Sequence, residues 1–160
     1  MATARILVID DDESVRETMS RILTDQGYFV DTAETGKRAI EKCESNYYNV
    51  ALIDIRLPDM EGTELLSLLK KSTPKLIMVV ITGYPSLENA VRAVNDGAHG
   101  YVIKPIDPDD LLNKIAALLK KQQEEAEYGE AKVAEYIETR LKQFSMQPKS
   151  IEPKPEESDE

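Results

Sequence analysis

The sequence predicts an open α/β fold, a doubly wound parallel sheet made of five βα units. Three observations carry that reading. Short apolar runs recur at intervals of about 20–25 residues, and three are continuously apolar and rich in Val and Ile, as strands buried on both faces require. The segments between them have helical periodicity, and crossovers between parallel strands are usually helices. Gly27 and Gly97 follow two of these segments, where a helix ends.

The strands are expected at Ile6–Ile9, Tyr28–Val30, Val50–Ile53, Leu76–Ile81 and Tyr101–Ile103. Ser14–Gln26 aligns Val15, Met19, Ile22 and Leu23 on one helical face. Thr35–Ser45 brings Ala39, Ile40 and Cys43 together, which makes Cys43 a core residue. Glu61–Lys71 carries four leucines, and Pro85–Asp96 carries Leu87, Ala90, Val91 and Val94. Pro108–Lys120 closes the fifth unit, so residues 1–120 form one domain. Residues 121–147 read as a helical extension, with Val133, Ile137, Leu141 and Phe144 at near-helical spacing and Gly129 as its weak point. Residues 148–160 form an acidic, Pro-rich tail expected to be disordered.

The chain has 160 residues and a formal net charge of −10. Its acidity argues against direct nucleic-acid binding, which needs a basic face. No apolar run approaches a membrane span, and the N-terminal MATARILVIDDD lacks the long apolar region of a signal peptide. The single cysteine allows no internal disulfide and no cysteine-based metal site. A cytoplasmic protein is expected.

In open α/β sheets the functional site lies beyond the carboxyl ends of the strands. Those ends carry Asp10-Asp11-Asp12, Asp54, Thr82 and Lys104. If the first, third, fourth and fifth strands are neighbours, these groups converge. Clustered carboxylates repel unless a cation joins them, and Mg²⁺ suits oxygen ligands where a phosphate also binds. Asp can attack phosphorus to form an aspartyl phosphate. The transferred group then needs positive charge around its oxygens, which Lys104 supplies as a point charge, with the Thr82 hydroxyl as a donor. A cis Lys104–Pro105 bond would aim the lysine inward. Taken singly, each residue has a plainer role: Asp10–Asp12 as a helix N-cap run, Asp54 as a turn residue, Lys104 as a solvated lysine.

Four stretches together resemble the receiver domain of two-component response regulators. They are Ile6–Asp12, Leu52–Gly62 (LIDIRLPDMEG), Val80–Tyr84 and Gly97–Pro105 (GAHGYVIKP). The resemblance covers residues 4–120. It implies a flavodoxin-like sheet of order 2-1-3-4-5 and a phosphorylation-activated regulator in a phosphorelay. Asp54 falls on the phosphoacceptor. Asp10 and Asp11 fall on the metal-binding acidic pair, leaving Asp12 as an extra acid. The Arg56 backbone carbonyl falls on the third protein ligand of Mg²⁺, or of another divalent ion such as Mn²⁺. Thr82 and Tyr101 fall on the switch pair, and Lys104 on the phosphate-binding lysine. Arg56 and Tyr84, at the pocket mouth, are candidate positions for tuning phosphoryl lifetime. A histidine kinase or phosphotransfer protein would donate the phosphoryl group, and an output protein or domain would read the result. The implied chemistry is self-phosphorylation and autodephosphorylation, not classical enzyme turnover. His99, in a helix-to-strand loop, is expected to serve only the loop surface.

Two rival readings remain. One is a receiver-like binding module that never takes phosphate. The other is a haloacid-dehalogenase-type phosphatase using Asp10, suggested by the Asp10–Val15 stretch. The stripe at 133–144 suggests a helix that packs on its own domain, pairs with a second copy as a homodimer, or begins the dimerising linker of a longer regulator.

Overall fold

A computed structural model of the chain describes residues 3–146. The expected tail at 148–160 lies outside the described residues. Five strands, β1 (Arg5–Ile9), β2 (Phe29–Ala33), β3 (Val50–Asp54), β4 (Ile77–Thr82) and β5 (Gly100–Ile103), alternate with five helices. These are α1 (Glu13–Asp25), α2 (Gly36–Ser45), α3 (Gly62–Ser72), α4 (Leu87–Asn95) and α5 (Pro108–Met146). The strands pair in parallel in the order β2-β1-β3-β4-β5. This is the flavodoxin-like, doubly wound sheet. No helix among the described residues is long and apolar enough to cross a membrane.

Alternation along each strand feeds two apolar layers. Leu7, Ile9, Ala51, Ile53, Met78 and Val80 pack with Leu65, Leu66 and Leu69 of α3 on one face. Ile6, Val8, Leu52, Val79 and Ile81 pack with Met19 and Leu23 of α1 and Leu111 and Ile115 of α5 on the other. Cys43 is partly buried against the first layer, and burial pushes its thiol up to about 11. With β3 enclosed on both faces and both edges, its terminal residue is held by the most constrained part of the molecule.

Local signals set the helix ends. Asp12, Thr35 and Ser86 are extended N-caps whose side chains accept from Val15, Arg38 and Asn89 N–H groups. The Ser86 cap explains why α4 begins at Leu87 and not at Pro85 as expected. Gly27 and Gly97 end helices with φ of 98° and 107°. Strand β2 runs past Val30 to Ala33 because β1 pairs with it along its full length. The secondary structure runs without interruption through the expected domain boundary after Lys120. Helix α5 is continuous from Pro108 to Met146 and contains Gly129, whose missing side chain would meet nothing within 4 Å.

His99 does more than finish a loop. Its Nδ1 accepts the Met78 N–H at 3.1 Å, and its own N–H donates to the Met78 carbonyl at 2.7 Å, so it ties the chain entering β5 to β4. The chain divides into two units, Met1–Lys120 and Lys121–Glu160. In the second, every residue from 123 to 145 is exposed.

Candidate functional site

The strand register builds the site. Ile9 pairs with Ile53, so Asp10 and Asp54 leave neighbouring strands at adjacent steps. Thr82 pairs with Ile103, so Lys104 emerges beside it. The Lys104 N–H donates to the Thr82 carbonyl at 2.7 Å, and the Lys104–Pro105 peptide is cis. Lys104 Nζ lies 3.0 Å from Asp10 Oδ2 and 3.5 Å from Asp54 Oδ2.

Asp10 is fully buried and heavily partnered. Its Oδ1 accepts from Asp12 N–H at 2.9 Å, and its carbonyl accepts from the Arg16 guanidinium at 2.7 Å. Asp54 is buried, and its Oδ1 accepts from Arg56 N–H at 3.2 Å. Asp11 is exposed and forms the open side of the cluster. Carboxylate oxygens of Asp10, Asp11 and Asp54 all lie within 4.8 Å of one another. Asp12 has a different job: it is exposed and caps α1.

Electrostatics sharpen the arrangement. Loss of solvent pushes the Asp54 carboxyl above its ordinary value, the Arg56 N–H and Lys104 work against this, and the nearby Asp10 charge adds to it. Burial alone would lower the Lys104 ammonium. Its bond to Asp10 and the charges of Asp10 and Asp54 outweigh burial and hold it above its usual value. The lysine is therefore cationic at neutral pH. Three hard oxygen donors, with the lysine opposite and one acid open to solvent, fit a divalent cation of the Mg²⁺ type.

Thr82 is fully buried, and its Oγ1 accepts from the Tyr84 N–H at 2.9 Å. The Tyr101 hydroxyl is buried without a hydrogen-bond partner. Arg56 is exposed and stacks its guanidinium 3.8 Å from the centre of the Tyr84 ring.

Two residues of the Leu52–Gly62 stretch support the site in roles that the motif did not assign. A side chain at Gly62 would come within 2.4 Å of the Asp54 carbonyl, so only glycine lets α3 start this close to the acid. Asp59 reaches across to α2, accepting Gly36 N–H and Lys37 N–H at 2.9 Å each. Those bonds, with Lys37 N–H foremost, hold its carboxyl below the usual range. One signal was available: α2 has no acid in its own first turn, so its free N–H groups need one from elsewhere.

A family model of the response regulator receiver domain matches residues 6–116. The chain belongs to this family. Among solved structures, a CheY-like receiver domain protein from Methanospirillum hungatei is 44% identical, with a TM-score of 0.76, over 78% of this chain and 99% of that one. The response regulator TrrA from Thermotoga maritima, solved in complex with Mg²⁺–BeF, is 31% identical with a TM-score of 0.67, over 72% of this receiver chain and 99% of TrrA. The transcriptional regulatory protein ZraR of Klebsiella oxytoca is 36% identical over 132 residues, which is 82% of this chain and 30% of ZraR. The receiver chain thus spans less than a third of that relative.

Proposed function

We propose that this receiver is a phosphorylation-driven switch in which Asp54 accepts a phosphoryl group from a histidine kinase or phosphotransfer protein. The observation that carries this reading is the convergence of Lys104 Nζ on Asp10 and Asp54, at 3.0 and 3.5 Å, beside the exposed Asp11. An Asp54 carboxylate oxygen attacks phosphorus, a P–O bond forms, and the P–N bond to the donor imidazole breaks with its electron pair leaving on nitrogen. Lys104 neutralises charge on the transferred oxygens, and the Thr82 hydroxyl donates to another. Asp10, Asp11, Asp54 and the Arg56 carbonyl are the groups that would hold a divalent cation, Mg²⁺ or a similar ion such as Mn²⁺. The bound ion would supply the remaining positive charge. TrrA, crystallised with Mg²⁺–BeF, supports the same use of this chain's acids.

The switch follows from packing. A phosphoryl group draws the Thr82 hydroxyl toward itself, and the unpartnered Tyr101 hydroxyl on the neighbouring strand is free to respond. The loop from Tyr84 to Ser86 and the start of α4 repack, presenting a changed surface to an output protein or domain. The chain turns over no substrate beyond its own phosphorylation and dephosphorylation, acts in the cytoplasm, and does not itself contact nucleic acid.

Labelling with acetyl phosphate and Mg²⁺ tests this. Label is expected on the native chain and lost on Asp54→Asn or with chelator. No labelling, and no response to beryllofluoride, would leave a passive binding module. Label that survives Asp54→Asn but not Asp10→Asn would favour the phosphatase reading.

A further inference from the structure

The extension beyond Lys120 presents a helix face that phosphoryl chemistry leaves unexplained. Val133, Ile137, Leu141 and Phe144 are 59%, 51%, 65% and 79% exposed. Their spacing of 4, 4 and 3 residues keeps them on one side of α5. Exposed i,i+4 pairs line this part of the helix: Glu138–Lys142, Gln123–Glu127, Lys132 over the Tyr128 ring and Arg140 over the Tyr136 ring. Such exposed pairs contribute little each, and Gly129 costs about 1 kcal/mol in a helix interior. Most helical stability in proteins comes from packing an apolar face, and covering the stripe would supply it here.

We infer that the stripe is covered by the same stripe of a second copy, with the two helices antiparallel. The charges within the face make the argument. At about 100° per residue, Glu130 falls within the span of the stripe and Arg140 about 20° beyond its Val133 edge, on opposite sides of its midline. A two-fold axis at Glu135 sets Glu130 against Arg140 of the other copy. It sets Val133 against Ile137, and the small Ala126 against the large Phe144. A parallel, in-register pair would instead oppose Glu130 to Glu130 and Arg140 to Arg140, which is destabilising. The contact is isologous and closes at two chains. Four apolar side chains per copy and their flanks bury roughly 1,000 Å² in total, the lower end of specific interfaces.

Sedimentation equilibrium on the full chain tests the inference. A reversible dimer is expected, abolished by Ile137→Asp. Glu130→Arg and Arg140→Glu should each weaken association about tenfold, and the double variant carrying both should return it to within about twofold of native. Circular dichroism and acetyl-phosphate labelling check that each variant stays folded. A chain that is monomeric up to about 1 mM overturns the inference and gives the stripe to a different occupant. So does a dimer indifferent to Ile137→Asp, one that the single charge reversals leave unchanged, as parallel pairing requires, or one in which the double variant rescues nothing.

Discussion

Asp54 is held at a cost that the proposed phosphoacceptor role explains. It is a buried carboxylate beside a second one, and burial makes its ionised form unfavourable. Replacing it with Asn removes that charge while Lys104 keeps its 3.0 Å contact with Asp10. Without divalent cation at neutral pH, Asp54→Asn should therefore raise the thermal midpoint by a few degrees while abolishing labelling. Differential scanning calorimetry checks it, and a lower midpoint would refute it. Gly62 predicts the opposite trade. Gly62→Ala places a methyl group 2.4 Å from the Asp54 carbonyl, backbone that cannot yield cheaply. Urea denaturation should show a loss of about 2–3 kcal/mol. At this scale the sequence was informative where side chains meet at strand ends. Asp10, Asp54, Thr82 and Lys104 each follow directly on an apolar run, so their convergence needed only strand order. Gly62 gave no such signal, because the atom it avoids is backbone belonging to another element.

At the scale of elements, Asp59 couples the loop after β3 to the start of α2. Its two bonds satisfy N–H groups that the helix cannot satisfy itself, so Asp59→Ala should cost about 1 kcal/mol. The pH dependence has a definite sign. The folded-state carboxyl lies below its ordinary value of 3.8, so its stabilisation is complete above that value and is lost as pH falls through the folded one. Urea midpoints from about pH 6 down to about pH 3 should fall less steeply for Asp59→Ala than for the native chain. The difference should be small because Asp59 is exposed. Strand and helix identity were readable from periodicity. The boundaries that moved did so for reasons outside local pattern: Ser86 capped α4, and pairing with β1 carried β2 into Asp31 and Thr32. The run through Gly129 shows that one glycine, at about 1 kcal/mol, does not break a helix that its neighbours favour.

For the whole molecule, the proposed cation site predicts a link between ion concentration and stability. A cation that binds the folded receiver and not the unfolded chain stabilises it by about 1.4 kcal/mol at ten times its dissociation constant. The thermal midpoint should therefore climb with added Mg²⁺ for the native chain and much less for Asp10→Asn, with KCl at matched ionic strength as control. The net charge of −10 is shared equally between residues 1–120 and 121–160, at −5 each, yet its meaning differs. In the first part they include the Asp10, Asp11 and Asp54 cluster, and in the second they flank a stripe.

Lys104 is 94 residues from Asp10 and 50 from Asp54, and it reaches both only when β5 has joined β4. A chain that lacks β5 keeps Asp10 and Asp54 but has no ammonium between them. Under the proposed function such a chain is expected to be a poor phosphoryl acceptor, so the site is completed only by the last strand of the sheet.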